Sequence, residues 1–390
     1  MNLAKKILLL TALSSFSALD SFGQMWTPTG SSSNQWSCLA SSADGEKLIA
    51  AVGNSGALAG ELFYSTNAGV SWTHTTNGIS PQFFFTAIAS SADGSKLFAT
   101  DGSSDYASTN SGGTWKNLNA GISSPVAVAS SADGQKLAMV AAGQTRVYTS
   151  TNSGATWTNT LFVPLVEKVI ASADGGTIIA WRNIGNGSIY VSTNSGTTWS
   201  TNELDSYLNT VASSADGKKL FGVGMVGNVF ISTNSGSKWI TNKLTTSFLA
   251  YAAASADGKR FIAMPFSTGT RTGYISTDSG VTWNSINVIS NQSWGQVIYS
   301  ADAGELFATP SSGFVETFQF TSSPQISLSP TNNNLKLSWI IPSTNFILQS
   351  SADLSSWTDL TNQPVLNLTN LQNEVYLSPT GNIFYRLKTP

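Results

Sequence analysis

The chain has 390 residues, of which 41% are hydrophobic and only 10% are charged, and its formal net charge is -2. This size allows two or three domains, or one large all-β domain with a small one, and the apolar content can bury a core. The weak charge excludes the clustered basic surface that nucleic-acid binding needs. The single cysteine, Cys38, excludes an internal disulfide framework and a cysteine metal site, so a buried thiol is expected there.

The first residues are typical of an export signal. Lys5 and Lys6 precede an apolar stretch from Ile7 to Leu19, which is too short to cross a bilayer comfortably. Ser21-Phe22-Gly23 places small residues where a signal peptidase cleaves, which predicts a signal peptide over residues 1–23. No later segment is long and apolar enough for a membrane helix, so we expect a secreted, periplasmic or cell-surface protein without a membrane span.

Two short phrases recur along most of the remaining chain. The first is Ser-Thr-Asn-Ala-Gly-Val-Ser-Trp at Ser65–Trp72, and its six copies end at Trp72, Trp115, Trp157, Trp199, Trp239 and Trp283. The second is Ser-Ala-Asp-Gly or close to it, and its seven aspartates are Asp44, Asp93, Asp133, Asp174, Asp216, Asp257 and Asp302. These aspartates follow one another at intervals of 40 to 49 residues, the length of a four-stranded propeller blade.

One repeat shows the predicted strands and turns clearly. Its four strands, A to D, are predicted at Val126–Ser131, Lys136–Ala141, Arg146–Ser150 and Thr156–Thr160. Asp-Gly between strands A and B predicts a hairpin, because glycine adopts positive φ without steric cost. Between strands C and D, the asparagine side chain accepts backbone hydrogen bonds and the glycine supplies a left-handed conformation. The tryptophan is expected to begin strand D and to cover the outside of the blade.

The C–D turn resembles the Asp-box of the BNR repeat, which occurs in sialidases, sortilin-type receptors and Ycf48-like propellers. The acidic position is asparagine in five copies and aspartate in the sixth, namely Asn67, Asn110, Asn152, Asn194, Asn234 and Asp278. The resemblance extends from Trp26 to Phe320. It implies an all-β propeller whose boxes lie at the blade periphery, away from any catalytic centre.

Seven Ser-Ala-Asp phrases but six boxes predict that the ring is closed by the N-terminus. The last unit, Ser300–Phe320, supplies three strands and lacks a box tryptophan. Trp26 precedes Asp44 by 18 residues, and each box tryptophan precedes the next marker by 17 to 21 residues. A strand at Trp26 would complete the last blade and remove open edges. We therefore predict a seven-bladed β-propeller of four-stranded blades over residues 24–321, closed by the N-terminal strand.

The functional face is expected to be the one that carries the B–C and D–A loops, opposite both repeated turns. Apolar residues stand eight positions before each marker aspartate, at Trp36, Phe85, Pro125, Val166, Leu208, Leu249 and Trp294. They indicate either an aromatic ring around a ligand-binding mouth or, as the favoured interpretation, packing where the inner strands begin. The predicted ligand contacts are Phe83, Phe84, Trp181, Arg182, Arg271 and Trp294, and Trp294 and the Phe83–Phe85 run are expected to be exposed.

The chain lacks an assembled catalytic set. A sialidase-like site needs three arginines, a Tyr–Glu nucleophile pair and an acidic proton donor, but the chain has five arginines in all and no Arg-Ile-Pro signature. The Arg-rich patch of the Ycf48-like group is also not apparent. His74, the only histidine, is predicted at the surface of an outer strand, which argues against a Ser-His triad or a histidine metal site. Asp101 and Asp105 offer a carboxylate pair for glycoside cleavage, although solvated loop charge is the favoured interpretation.

A small module is predicted after the linker Ser322-Ser323-Pro324, over residues 322–390. Alternation at Leu335–Trp339, Phe346–Gln349 and Phe384–Leu387 predicts half-buried strands. Together with Ser356-Trp357-Thr358, these segments resemble a fibronectin type III or related β-sandwich. The resemblance implies a role in adhesion, spacing or surface association.

These features predict an exported, non-catalytic β-propeller that binds a glycan or protein partner through its B–C/D–A loop face, with no cofactor and no metal. Two alternatives stay open at this point. One is a divergent, sialidase-like glycoside hydrolase, and the other is a periplasmic assembly factor similar to the Ycf48-like proteins. The oligomeric state is not predicted.

Overall fold

The computed structural model describes residues 26–53, 60–75, 77–79, 84–141, 146–162, 166–182, 187–204, 206–266, 272–288, 294–301, 304–319, 326–331, 334–340, 347–361, 364–378 and 383–388. Within these ranges the chain forms β-strands and one short 3-10 turn at Met225–Gly227, so the all-β prediction is confirmed. The predicted signal peptide, Phe83 and Arg271 lie outside the described residues. No helix in these ranges reaches the length and apolarity that a bilayer crossing requires.

Six four-stranded antiparallel sheets follow one another along the chain, each with its strands in sequence order. Their strands are Trp36–Ser41, Leu48–Val52, Leu62–Ser65 and Thr73–Thr75 (β2–β5); Ala87–Ser90, Leu97–Thr100, Asp105–Ser108 and Lys116–Asn117 (β6–β9); Pro125–Ser130, Leu137–Ala141, Arg146–Ser150 and Thr158–Phe162 (β10–β13); Lys168–Ala171, Ile178–Trp181, Ser188–Ser192 and Ser200–Glu203 (β14–β17); Leu208–Ser213, Leu220–Gly224, Asn228–Ser232 and Ile240–Lys243 (β18–β21); and Leu249–Ala254, Phe261–Pro265, Thr272–Ser276 and Asn284–Asn287 (β22–β25).

A seventh sheet joins the two ends of this region. Trp294–Tyr299 (β26), Glu305–Pro310 (β27) and Glu316–Gln319 (β28) form three of its strands, and Thr27–Pro28 (β1) pairs with β28 as the fourth. The Trp26 ring, only 8% exposed, lies 4.9 Å from Trp294 and 5.5 Å from Phe318, measured between ring centroids. Further backbone hydrogen bonds join Thr29 to Val315 and Asn34 to Gly313. The N-terminal segment is therefore part of the last sheet.

Side-chain hydrogen bonds hold the Ser-Ala-Asp turns, of which the seventh is described without Asp302, which lies outside the described residues. In the third sheet, Ser131 Oγ donates to Asp133 Oδ1 at 2.6 Å and accepts the N–H of Lys136 at 2.9 Å. Asp133 Oδ1 also accepts the N–H of Gln135 at 2.9 Å. Although burial raises the pKa of Asp133, the hydrogen bonds from Ser131 and Gln135 and the charge of Lys96 lower it overall. The ionised carboxylate thus satisfies backbone groups that the tight turn leaves unpaired.

The alanines of these turns link the seven sheets in a continuous series. Each alanine N–H donates to the alanine carbonyl of the next turn at 2.7 to 2.9 Å, in the order Ala43, Ala92, Ala132, Ala173, Ala215, Ala256 and Ala301. Ala301 then donates back to the carbonyl of Ala43 at 2.7 Å. Every sheet is therefore tied to two neighbours by backbone hydrogen bonds at this face.

The six boxes form the predicted turn between the third and fourth strands, with one addition. Asn152 Oδ1 accepts the N–H of Thr156 at 2.9 Å. Gly154 has φ of 82°, but Ser153 before it is also left-handed, with φ of 54°. Because the turn continues through Trp157, β13 begins at Thr158, two residues later than predicted. The Ser153 N–H donates to the carbonyl of Gln135 at 2.8 Å, so both repeated turns lie on one face, as expected.

The box glycine is also a point of contact between neighbouring sheets. A Cβ at Gly236 would lie 2.8 Å from Val191 Cγ2, on the preceding sheet. At Gly69 the nearest atom to such a Cβ is Thr29 Cγ2, at 3.0 Å, in the segment that follows β1. Glycine is therefore required both for its left-handed backbone and for the close approach of two sheets. Only the left-handed backbone could be predicted from the repeated sequence.

The C-terminal region forms two sheets that share a core. One contains Ser327–Thr331 (β29), Asn334–Ile340 (β30), Val365–Asn367 (β33) and Gln372–Leu377 (β34), and the other contains Ile347–Ser351 (β31), Thr358–Asp359 (β32) and Phe384–Lys388 (β35). Leu337, Trp339 and Val375 of the first sheet and Leu348 of the second are at most 5% exposed and belong to one cluster. The predicted strands near Leu335, Phe346 and Phe384 are thus present.

The prediction of a strand at Ser356-Trp357-Thr358 is wrong for its first two residues. Asp353 Oδ1 accepts the N–H groups of Ser355 and Ser356, and Trp357 Nε1 donates to the carbonyl of Leu354 at 3.2 Å. Leu354 is left-handed, with φ of 65°. This turn resembles the boxes in its hydrogen bonds, and it begins with the letters Ser-Ser-Ala-Asp that precede most A–B turns. That match was the signal that could have identified it.

Candidate functional site

The first strands of the seven sheets surround a central cavity of about 660 Å³. Residues of β2, β6, β10, β14, β18, β22 and β26 line it, and most of them are small or apolar. Among the described lining residues, Lys168 carries the only charge, and none is acidic. The cavity therefore favours ligands that bring apolar surface or negative charge.

Five of the inner strands bulge directly after their first residue. The register shifts leave one residue of the inner strand without a partner on the second strand, and these residues are Ser37, Val126, Asn209, Ala250 and Gly295. All five line the cavity. Asn209 Nδ2 donates to the carbonyl of Leu249 at 2.7 Å, and Ser37 Oγ donates to that of Phe85 at 3.1 Å. Bulges therefore aim side chains into the cavity and across to the next strand.

The polar groups of the cavity are hydroxyl and amide side chains together with one ammonium group. Lys168 is exposed, and its ammonium group makes no hydrogen bond or ion pair with another described residue. Gln296 Oε1 accepts the N–H of Leu39 at 2.9 Å, and this hydrogen bond joins the inner strands β26 and β2. Burial raises the pKa of Tyr251, which keeps its phenol neutral and able to donate.

Cys38 lies in the wall of the same cavity as a neutral thiol. Burial raises its pKa to about 11, although a hydrogen bond with Ser37 and the charge of Lys168 act in the opposite direction. A thiol with this pKa is a poor nucleophile and metal ligand at neutral pH. The expectation of a buried thiol is confirmed.

Aromatic side chains lie at the end of the cavity on the loop face. Phe266 directly follows β23, and Phe248 directly precedes β22; their rings are 5.3 Å apart at an interplanar angle of 72°. Phe266 is 52% exposed, and Phe84, just before β6, is 39% exposed. Exposed aromatic rings at a cavity mouth are typical of recognition surfaces.

Comparison with known proteins identifies the architecture. No protein-family model matches the chain, and no curated protein matches it in sequence. YCF48 bound to a D1 peptide is 15% identical, with a TM-score of 0.57 over 77% of this chain and 96% of that one. Kuenenia stuttgartiensis hydrazine synthase is 15% identical, with a TM-score of 0.60 over 76% of this chain and 99% of that one. YCF48 from Cyanidioschyzon merolae is 14% identical, with a TM-score of 0.58 over 76% of this chain and 99% of that one.

These solved structures are β-propellers. The present fold is a β-propeller. At 14–15% identity the likeness shows the fold alone, and the cavity is the central channel of the propeller. The end of the channel that Phe248 and Phe266 border is called the channel mouth below.

The structure separates the predicted ligand contacts into two groups. The expectation that Trp294 is exposed is wrong, because Trp26 covers its ring and leaves it 3% exposed. The same expectation is wrong for Phe85, which is 0% exposed and packs against Tyr106. Trp181 is also 3% exposed, and its Nε1 donates to the carbonyl of Asn209 at 3.4 Å within the channel wall. Arg182 is half-buried, and its Nε has no hydrogen-bond partner among the described residues. Phe84 is the predicted contact that lies exposed.

The apolar residues at the starts of the inner strands pack, as the favoured interpretation held. Pro125 is buried, and the other six are at most 4% exposed: Trp36, Phe85, Val166, Leu208, Leu249 and Trp294. Exposed aromatic groups occur instead just outside the strands, at Phe84, three residues before β6, and at Phe266, directly after β23, where the half-buried Phe248 packs against Phe266. Lys168, Phe248 and Phe266 were missed, and their position beside the variable B–C and D–A loops was the available signal.

The remaining titratable residues do not assemble a catalytic centre within the described ranges. His74 lies exposed on β5, as predicted, with Nε2 3.2 Å from Glu61 Oε2. The interpretation of Asp101 and Asp105 as solvated loop charge is wrong, because they are 1% and 4% exposed in one tight turn. The described residues contain no group of three or more His, Cys, Asp or Glu that suits a metal ion.

Replacing Glu316 with glutamine is expected to stabilise the protein at alkaline pH. Glu316 is 5% exposed, its Oε2 has no hydrogen-bond partner among the described residues, and burial raises its pKa. A carboxyl group whose pKa is higher in the folded than in the unfolded protein stabilises the fold fully at pH values below the pKa of the unfolded state. That stabilisation is lost as the pH rises through the pKa of the folded state. We expect Glu316→Gln to raise the free energy of unfolding by about 1 kcal/mol at about pH 8 and by less near pH 5.

Urea unfolding at the two pH values measures this difference. Glu203→Gln is the control, since Glu203 is exposed and accepts a hydrogen bond from Ser188 Oγ at 2.7 Å. A Glu316→Gln protein that is less stable than the wild type at alkaline pH would show that the carboxylate has a stabilising partner.

Proposed function

We propose that this chain is an exported, non-catalytic, seven-bladed β-propeller that binds a protein partner at the channel mouth. Export is supported by the basic residues Lys5 and Lys6 and the apolar stretch after them. Seven blades, closed by the N-terminal strand, are supported by the seven four-stranded sheets, by the pairing of β1 with β28 and by the continuous series of alanine hydrogen bonds. In this proposal residues 24–321 are the propeller and residues 322–390 a fibronectin-III-like module.

The channel mouth is the observation that carries the proposed function. A channel of about 660 Å³ falls in the size range of ligand sites, roughly 300–1,000 Å³. Phe248 and Phe266 offer apolar surface at its mouth, and Lys168 offers an unpaired positive charge. An extended polypeptide segment with an apolar residue and a carboxylate matches both features. YCF48, whose structure is similar, is seen bound to a D1 peptide, which supports a protein rather than a glycan partner.

The acidic residues give little support to the alternative of a glycoside hydrolase. Such an enzyme needs two carboxyl groups that flank the bond to be cleaved. The described channel lining contains no acidic residue, and Asp101 and Asp105 are buried beneath one turn. A binding role is therefore the better match to this chemistry.

Selection from a phage-displayed peptide library against the mature protein tests the proposal. We expect peptides that bind the wild type, and we expect Phe266→Ala and Lys168→Ala each to weaken binding about tenfold, the effect of losing about 1.4 kcal/mol. Phe162→Ala is the control, because Phe162 is 65% exposed on the outer strand β13 and its ring faces Arg146.

Two outcomes would contradict the proposal. One is a set of selected peptides whose affinity for the Phe266 and Lys168 variants equals that for the wild type. The other is an absence of peptide ligands together with binding on a glycan array or hydrolysis of a polysaccharide.

A further inference from the structure

The turn between β7 and β8 differs from the other B–C connections of the propeller in its charge. It has the sequence Thr100-Asp101-Gly102-Ser103-Ser104-Asp105 and contains two acidic residues. The other six connections, counted with the strand residue on each side, contain no more than one each, Glu61 or Glu316. Thr100, Asp101 and Asp105 are 0%, 1% and 4% exposed. Three polar side chains are thus almost fully buried at the base of one short turn.

The two carboxyl groups have unequal surroundings. Asp101 Oδ1 accepts the N–H groups of Ser103 and Ser104 at 2.9 and 2.7 Å, which shapes the turn. Asp105 lies directly opposite Thr100 in the β7–β8 pairing and hydrogen-bonds to its side chain. The Oδ1 atom of Asp105 is buried and has no hydrogen-bond partner among the described residues, none of which forms an ion pair with it. One carboxylate oxygen is therefore left for a ligand.

A buried and unpaired carboxylate is unfavourable unless a positive species compensates it. Burial raises the pKa of Asp105 to about 6, the hydrogen bond to Thr100 opposes this, and the nearby Asp101 adds to it. Two neighbouring negative charges in one turn attract a cation.

We propose that the Thr100–Asp105 turn binds a Ca²⁺ ion through Asp105 Oδ1. Asp101, Ser103 and Asp105 alternate along the turn, the spacing of the first three ligands in calcium loops. Carboxylate and hydroxyl oxygens suit a hard cation such as Ca²⁺, whereas Zn²⁺ prefers histidine and cysteine. Ser103 is exposed in the same turn and its hydroxyl donates to Asp101 Oδ1 at 2.9 Å, so binding of the ion requires the turn to open and exchanges this hydrogen bond for metal ligands.

The proposed ion would stabilise the loop face near the channel mouth. Thr86 Oγ1 donates to the carbonyl of Thr100 at 3.1 Å, and Thr86 itself lines the channel two residues after the exposed Phe84. The turn lacks the later acidic ligand of high-affinity calcium loops, so the Kd expected is about 0.1–1 mM, the range of extracellular modules. The inference is independent of the protein partner proposed above.

Isothermal titration calorimetry of the mature protein with CaCl₂ tests the site. At neutral pH we expect one ion per chain and at least about tenfold weaker binding by Asp105→Asn, which keeps the shape of the side chain but removes its charge. Asp101→Asn, whose amide oxygen can still accept the turn's hydrogen bonds, should also weaken binding. Glu316→Gln is the matched control, since it removes another buried carboxyl with an unpaired oxygen and should leave binding unchanged.

A second measurement uses the wild type alone. Because Ca²⁺ would bind the folded turn, the melting temperature of the wild type should rise as the CaCl₂ concentration increases above the Kd, a result that does not depend on whether a variant folds. The absence of a binding heat up to about 10 mM CaCl₂ would overturn the proposal, given the range of such sites. Equal affinities of the wild type and a folded Asp105→Asn protein would do so as well.

Discussion

Replacing Trp26 with alanine is expected to lower the free energy of unfolding by about 3–5 kcal/mol, the usual cost of truncating a large buried aromatic side chain. The indole is 8% exposed and packs against Trp294 and Phe318, which belong to the last sheet. Its loss removes the side chain that covers Trp294 and weakens the attachment of β1 to β28. Urea unfolding followed by tryptophan fluorescence and by circular dichroism measures the change.

Trp157→Ala is the control for the loss of a tryptophan as such. Trp157 is half-buried at the periphery, whereas Trp26 is 8% exposed, and the Nε1 of both lacks a hydrogen-bond partner among the described residues, so truncating Trp157 should cost clearly less. If the two variants lose equal stability, the N-terminal strand does not hold the last sheet as we propose. A loss confined to the Trp157 variant would be still stronger evidence against it.

The repeated turns were the most predictable part of the fold because their chemistry is local. Asn152, Gly154 and the Asp133 turn form hydrogen bonds within eight residues of sequence, so the pattern of letters was enough to predict them. The pairing of β1 with β28 could also be anticipated, since Trp26 continues the spacing of the repeat.

Contacts between sheets were not predictable in the same way. The alanine series joins residues about one repeat apart through main-chain atoms, which carry no side-chain signature. The bulges at Ser37 and Asn209 depend on how neighbouring inner strands fit together around the channel. A sequence pattern shows which residues are apolar. It does not show the local strand register, which decides whether a side chain points into the channel.

The exposure of the candidate-site residues could not be predicted from the sequence either. Trp294 and Phe84 are both aromatic residues near the start of an inner strand, yet one is 3% and the other 39% exposed. The difference arises because Trp26, distant in sequence, covers Trp294. The sequence predicts solvated charge at Asp101 and Asp105 because acidic residues in loops are usually exposed, but both are buried in a tight turn that packs beside Thr86.

Replacing Gly280 with alanine tests the role of the box glycine as a contact between sheets. Gly280 has φ of 86°, and a Cβ there would overlap Ile231 Cδ1 on the preceding sheet. The variant combines a left-handed backbone with overpacking, so we expect the free energy of unfolding to fall by about 2–4 kcal/mol.

Gly121→Ala is a matched control, because Gly121 has φ of 67° and open space around the position of a Cβ. That variant should lose only about 1 kcal/mol, the cost of the backbone conformation. Urea unfolding of both proteins separates the two contributions, and equal losses would mean that Ile231 moves aside and that the boxes serve their own blade alone.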